Sequence, residues 1–120
     1  MIKAVKFVGI PVKDQDRALA FWTEMLGLKI ETDQPMGDQR WIELRIPGAD
    51  TRVVLFTPPG HESRVGGFFN GSFACDDVEA TWRELAAKGV RFKKEPTKQP
   101  WGTFAIFQDS EDNEFVLSSR

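Results

Sequence analysis

The chain has 120 residues, 41% of them apolar and 28% charged, with a net charge of −2. This composition suits one soluble globular domain around a single core, and the lack of a basic run excludes nucleic acid as a partner. No apolar run approaches the ~20 residues needed to span a bilayer, and the lone Cys75 excludes an internal disulfide and fits a reducing cytoplasm.

Residues 4–12 alternate and are rich in β-branched and aromatic types, which predicts a strand, and the start Met1-Ile2-Lys3-Ala4-Val5 lacks the long apolar stretch of a signal peptide. Asp14 is a helix N-cap, its carboxylate accepting from free main-chain N–H groups. Ala18, Leu19, Trp22, Met25 and Leu26 then mark one helical face, and Gly27 supplies the left-handed stop. Strands follow near 28–33, 40–46 and 52–57, separated by Pro35-Met36-Gly37-Asp38 and Pro47-Gly48-Ala49-Asp50. Residues 58–67 read as a linking loop. It carries the only histidine, His61, which is expected to be exposed rather than a ligand.

A strand near 69–75 comes next, then Asp77 as N-cap. Val78, Trp82, Leu85 and Ala86 form a second helix stripe, and Gly89 ends it. Strands are predicted near 90–94, 101–108 and 114–118, the last two joined by Asp109-Ser110-Glu111-Asp112-Asn113, residues that tolerate positive φ. The basic residues Lys93, Lys94 and Lys98 read as a solvated loop. Trp22 and Trp82 should anchor helices to sheets, Trp101 should lie at a rim or a contact between copies, and Cys75 should behave as a small hydrophobe.

The two halves repeat. Asp14 lies 63 positions before Asp77, and Gly27 lies 62 before Gly89. Each half is therefore a βαβββ unit, and the fold class is α+β. Module one spans about 1–60 and module two about 67–120.

With the repeat stand several local markers: Val8-Gly9-Ile10-Pro11-Val12-Lys13-Asp14, the helix end Phe21-Trp22…Leu26-Gly27, Phe73 to Asp77, and Trp101-Gly102. The Asp109–Asn113 turn resembles an Asp-Pro-Asp-Gly-Asn pattern, from which Ser110 and Asp112 depart. Taken in order, these markers resemble the vicinal oxygen chelate superfamily, also called the glyoxalase/bleomycin resistance protein/dioxygenase superfamily, over nearly the whole chain. The resemblance implies tandem βαβββ modules whose curled mixed sheets surround a concave cavity, and a homodimer. It also implies divalent-metal ligands at positions that here are Phe7, Val54, Asn70 and Val116. Three are hydrocarbon and the fourth is a neutral amide, so neither a metal nor another cofactor is expected.

Strand alternation predicts what lines the concave face instead. Phe7 and Gly9 should face it in the first strand, Trp41, Glu43 and Arg45 in the third, and Val54 and Phe56 in the fourth. The 62-residue offset maps the third-strand set onto Thr103, Ala105 and Phe107, with Phe104 and Ile106 on the packed side. Asn70, Ser72, Val116 and Ser118 complete the set. Such a surface suits a small planar ligand, with Trp41 and Phe107 stacking, Arg45 clamping a carboxylate and Glu43 accepting a hydrogen bond. Glu43 and Arg45 pairing with each other, over a filled core, is the plainer alternative.

The functional expectation is a metal-free small-molecule-binding protein that sequesters a planar or aromatic compound. The alternatives are a metal-dependent lyase, isomerase or ring-cleaving dioxygenase, and a dimerisation module with a filled cavity. The expected partners are a small molecule and a second copy of the chain, with no membrane.

Overall fold

The structure, a computed structural model, describes residues 1–119. The chain divides into two compact units, Met1–Val65 and the residues from Gly66 onward. Each is a βαβββ unit, and the fold class is α+β.

In the first unit, β1 (Phe7–Ile10) leads to α1 (Gln15–Ala20), which continues as a wider π-helical turn over Phe21–Met25. Then come β2 (Lys29–Met36), β3 (Gln39–Arg45) and β4 (Arg52–Leu55). The sheet order is β1-β4-β3-β2, with β1 and β4 parallel and the other pairs antiparallel. Asp14 caps α1 as expected, its Oδ1 accepting from the Arg17 N–H at 3.0 Å. Gly27 takes φ +79 at the helix end, a conformation costly for any residue with a Cβ. Ala18 and Trp22 are fully buried, and Phe21, outside the predicted stripe, is buried beside them because the wide turn rotates it inward.

β2 runs past the predicted turn. Pro35 and Met36 pair with Arg40 and Gln39, leaving only Gly37 and Asp38 as the hairpin loop. Pro35 is tolerated because β2 is an edge strand of its sheet.

The core of this unit is Ile10, Ile42, Leu44, Val53 and Leu55, all at most 1% exposed. Beyond the last β3–β4 pair, side-chain amides extend the ladder. Gln39 donates to the Thr57 carbonyl and accepts from its N–H. Gln15 on α1 donates to the Arg40 and Leu55 carbonyls and accepts from the Arg40 N–H. The buried Thr57 hydroxyl accepts from the Val12 N–H and donates to the Val12 carbonyl. Main-chain groups at the sheet end that would otherwise face desolvation are satisfied in this way.

The second unit repeats the plan with β5 (Phe68–Cys75), α2 (Val78–Ala87), β6 (Arg91–Gln99), β7 (Gly102–Gln108) and β8 (Glu114–Ser119), in the order β5-β8-β7-β6. Asp77 caps α2 by accepting from the Ala80 N–H, and Gly89 takes φ +99. The helix stripe is narrower than expected. Val78 and Leu85 are buried, Trp82 is half-buried and Ala86 is exposed. Phe69, Phe73, Phe107 and Phe115 make the sheet side of the core, with Phe107 and Phe115 stacked at 5.3 Å between centroids. Lys93, Lys94 and Lys98 lie on β6, not in a loop.

The β7–β8 turn is organised by a buried carboxylate. Asp109 Oδ1 accepts from the Glu111 and Asn113 N–H groups at 2.9 Å, and Oδ2 accepts from Asn113 Nδ2 at 3.0 Å. Burial pushes the Asp109 carboxyl above its ordinary range, and these bonds oppose the shift only in part. Asp112 adopts φ +64, a left-handed value that Asp tolerates better than most residues.

One correction concerns register. The turn between β3 and β4 is one residue longer than that between β7 and β8, since Arg45 pairs with Arg52 and Gln108 with Glu114. β3 therefore maps onto β7 at an offset of 63 (45 to 108), not 62. The missing residue returns in β6, where the pairing shifts register twice against once in β2. A slip of one residue flips every side chain to the other face. Thr103, Ala105 and Phe107 accordingly lie on the helix side with Phe115 and Leu117, while Phe104 and Ile106 lie on the open side with Ser118 and Val116.

Candidate functional site

Each sheet has one face covered by its helix and one open face, and the open faces are where most of the sequence-predicted residues lie. In the first unit, register places Phe7 beside Arg52, Gly9 and Glu43 beside Val54, and Arg45 beside Arg52. Phe7, Trp41, Glu43, Arg45 and Val54 therefore share that face. Phe7 meets Trp41 edge to face at 5.4 Å, and Phe56 packs against Trp41 at 5.3 Å with the rings tilted. Val54, on the strand between those carrying Phe7 and Trp41, is 1% exposed, whereas Phe7 is 38% exposed.

Glu43 and Arg45 do not pair with each other. Trp41 Nε1 donates to Glu43 Oε1 at 3.3 Å, which holds the indole and the carboxylate together. Arg45 instead approaches Glu31 on β2 at 3.6 Å, and Arg52 approaches the same oxygen at 2.9 Å. The face thus runs from an aromatic trio to a two-arginine, one-glutamate cluster. It offers stacking area at one end and guanidinium groups at the other.

In the second unit, Ser72 pairs with Val116 and Ala74 with Ser118, and the Ser72 and Ser118 hydroxyls lie 2.6 Å apart. Asn70 is exposed on the same side of β5. Thr103 and Phe107 are absent from this face. Phe107 is 2% exposed, packed among Phe73, Phe92 and Phe115, and cannot stack on a ligand at the surface. In this unit the residues missed by sequence reasoning include Phe104, Ile106 and Lys94, which register places on the open face, and in the first unit Arg52 was missed. Counting the strand back from the Asp109 turn, rather than forward from Gly89, would have found the first two.

The four positions expected to hold a metal do not fit one. Phe7 adjoins an arginine, Val54 is buried hydrocarbon, Val116 adjoins Ser72 and Ile106, and Asn70 offers one neutral oxygen. Among the described residues no group of three or more His, Cys, Asp or Glu side chains is placed to bind an ion. His61 is exposed in the loop, 3.4 Å from Arg64 Nη1. A divalent ion at these positions would gain too few charged donors to offset its lost hydration.

A separate depression of about 670 Å³ opens beside the start of α1, over Val12, Gln15, Gln39, Arg40 and Thr57. Two cations, Lys13 and Arg40, line it, and Arg40 is committed. Arg40 binds Asp33 through Nε at 3.0 Å and Asp16 through Nη1 at 2.6 Å, which raises its pKa further. None of the sequence-predicted ligand residues lines it.

The family model for the glyoxalase/bleomycin resistance protein/dioxygenase superfamily matches residues 4–117. This chain belongs to that superfamily. It is 37% identical over 121 residues to the uncharacterized protein YetH of Bacillus subtilis (strain 168), covering 98% of each chain. It superposes on a superfamily member from Sphaerobacter thermophilus DSM 20745 with a TM-score of 0.89, at 32% identity over 99% of this chain and 98% of that one. It also superposes on TnmS3, an antibiotic binding protein from Streptomyces sp. CB03234, with a TM-score of 0.85, at 31% identity over 98% and 96% of the two chains. No helix of the described residues is long and apolar enough to cross a membrane.

Proposed function

We propose that this chain is a metal-free binding protein that sequesters a small planar or aromatic compound. The observation that carries the reading is the open face of the first unit. Trp41 stands there between Phe7 and Phe56, hydrogen-bonded to Glu43, on the face that carries Phe7 and Val54, two of the four positions where the resemblance implies metal ligands. Apolar rings with a few orienting polar groups are the ordinary composition of a small-molecule site. In this reading Trp41 stacks on the ligand, Glu43 accepts from a ligand hydroxyl or amine, and Arg45 pairs with a ligand carboxylate. The superposition on TnmS3 supports the same direction, since that protein is an antibiotic binding protein.

One observation favours a second reading, a filled face that serves only packing or dimerisation. Trp41 is in contact with both other rings, and Val54 is already covered. A thermal-shift screen of chelator-treated protein against planar aromatic compounds separates the two. A ligand that binds only the folded state stabilises it by RT ln(1+[L]/Kd), about 2.7 kcal/mol at a hundredfold excess over Kd. A filled face gives no hit. We further propose a homodimer in the cytoplasm, because the edges of each four-stranded sheet invite pairing with a second copy.

A further inference from the structure

At the far end of the Trp41 face, two guanidinium groups converge on one carboxylate. Arg52 Nη1 lies 2.9 Å from Glu31 Oε2, and Arg45 Nε lies 3.6 Å from the same oxygen, too far for a hydrogen bond. Arg52 Nη1 is shielded from water, yet among the described residues it is aligned to donate to no acceptor, Glu31 included. Lys29 stands opposite Arg45 in register and adds a third cation. The other carboxylate of the face, Glu43, is held by Trp41 Nε1 at 3.3 Å. Three cations therefore share the Glu31 carboxylate, and most of the guanidinium donors are left unused.

Glu31 owes its place to an irregularity of β2. Ile30 pairs with Leu44 and Thr32 with Glu43, so Glu31 has no partner across the ladder. It is the extra residue of a β-bulge, a device that re-aims a side chain. In a regular ladder Glu31 would sit opposite Glu43, two like charges side by side. With the bulge, Thr32 takes that place and Glu31 reaches the arginines. β2 is an edge strand and the Glu31 side chain is 40% exposed, so the carboxylate can leave for water without disturbing the core.

We propose that Glu31 is a built-in competitor at the Trp41 site. It holds the position that a ligand's anionic group takes between Arg45 and Arg52, and it swings out to solvent when such a ligand binds. The inference rests on the reading of that face as a binding site and concerns how the site is regulated. An entering anion gives both guanidinium groups the aligned acceptor that Glu31 supplies poorly. A neutral ligand leaves Glu31 where it is. Glu31 therefore lowers affinity for acids and not for neutral compounds of the same shape. A carboxylate that merely positioned the arginines would act in the opposite direction, since its loss would let them disperse.

The test is calorimetric titration at low ionic strength with 2-naphthoate and its neutral isostere 2-naphthamide, on wild type and on Glu31→Gln. The proposal expects Glu31→Gln to bind the acid about two- to fivefold more tightly, the scale of a partly exposed ion pair, and the amide equally well. Arg52→Gln in the Glu31→Gln background should remove that gain. Urea midpoints verify that each variant folds. Acid affinity unchanged in Glu31→Gln overturns the proposal, and so does acid affinity lowered, the result a positioning role would give. If amide binding is at the same time lost in Trp41→Ala, the Trp41 reading stands and the inference alone falls. Amide binding kept in Trp41→Ala, or neither probe binding up to millimolar concentration, fails the Trp41 reading and the inference with it.

Discussion

Replacing Asp109 with alanine should destabilise the chain more than any other single change in a turn. The side chain is 1% exposed and accepts three hydrogen bonds, two from main-chain N–H groups and one from Asn113 Nδ2. Asn113 in turn accepts from the Gly66 N–H at 2.7 Å, so the turn is tied to the start of the second unit. Alanine removes the acceptor from all three donors at once. Each buried donor left without its acceptor costs about 1–3 kcal/mol, and water reaching the exposed side at Asp112 recovers part of this. Removing a carboxylate that is expensive to bury offsets a further part. The expected net loss is about 2–4 kcal/mol, a large share of the roughly 5–15 kcal/mol typical of a domain. Urea unfolding followed by tryptophan fluorescence reads this as a lower midpoint at unchanged slope. A loss below about 0.5 kcal/mol, within the range of an ordinary surface substitution, would refute the view that Asp109 organises the turn.

The same carboxyl predicts a pH effect. Burial raises its folded-state pKa above the ordinary 3.8, so the folded chain holds the proton more tightly than the unfolded chain. Its contribution to stability is therefore full below pH 3.8 and is lost as pH rises through the folded-state value. Relative to Asp109→Asn, wild type should lose stability across that window, as read by urea midpoints at a series of pH values. Trp22→Ala, which truncates a fully buried indole, should cost about 3–5 kcal/mol by the same unfolding assay. Gln15→Ala removes three hydrogen bonds that tie α1 to the sheet end and should cost about 1–3 kcal/mol, with hydrogen exchange rising first at Arg40. Phe7→His should create no tight zinc site by competition with a chelating dye, because its neighbours in register, Val8, Arg52 and Val53, supply no second ligand.

Much of the fold was legible because its signals are local. Asp14 and Asp77 announced the helix starts, and Gly27 and Gly89 announced the helix ends through a conformation few other residues adopt. Alternation in β3 assigned Ile42 and Leu44 to the core and Trp41 and Glu43 to the other face. The error in β7 has a specific origin. Gly27 and Gly89 are 62 apart, but an extra irregularity in β6 restores one residue before β7 begins. Bulges leave little trace in residue type, so the offset carried across one inverted the strand, sending Phe107 to the wrong face and hiding Phe104. The partners of Arg45 were equally beyond the sequence. Its ion pair is with Glu31, and an irregularity in β2 at that point defeats a count by alternation. Trp82 failed as an anchor because the shorter second helix buries only Val78 and Leu85 firmly.

The central claim is that binding here is done by rings and polar side chains, without a metal. Its most direct test is calorimetric titration of the tightest-binding aromatic compound from the screen, before and after exhaustive chelation and again with Trp41→Ala. The account predicts an affinity unchanged by chelation and a loss of about 1–3 kcal/mol in Trp41→Ala. Binding that disappears on chelation, returns with an added divalent ion and ignores Trp41→Ala would contradict it.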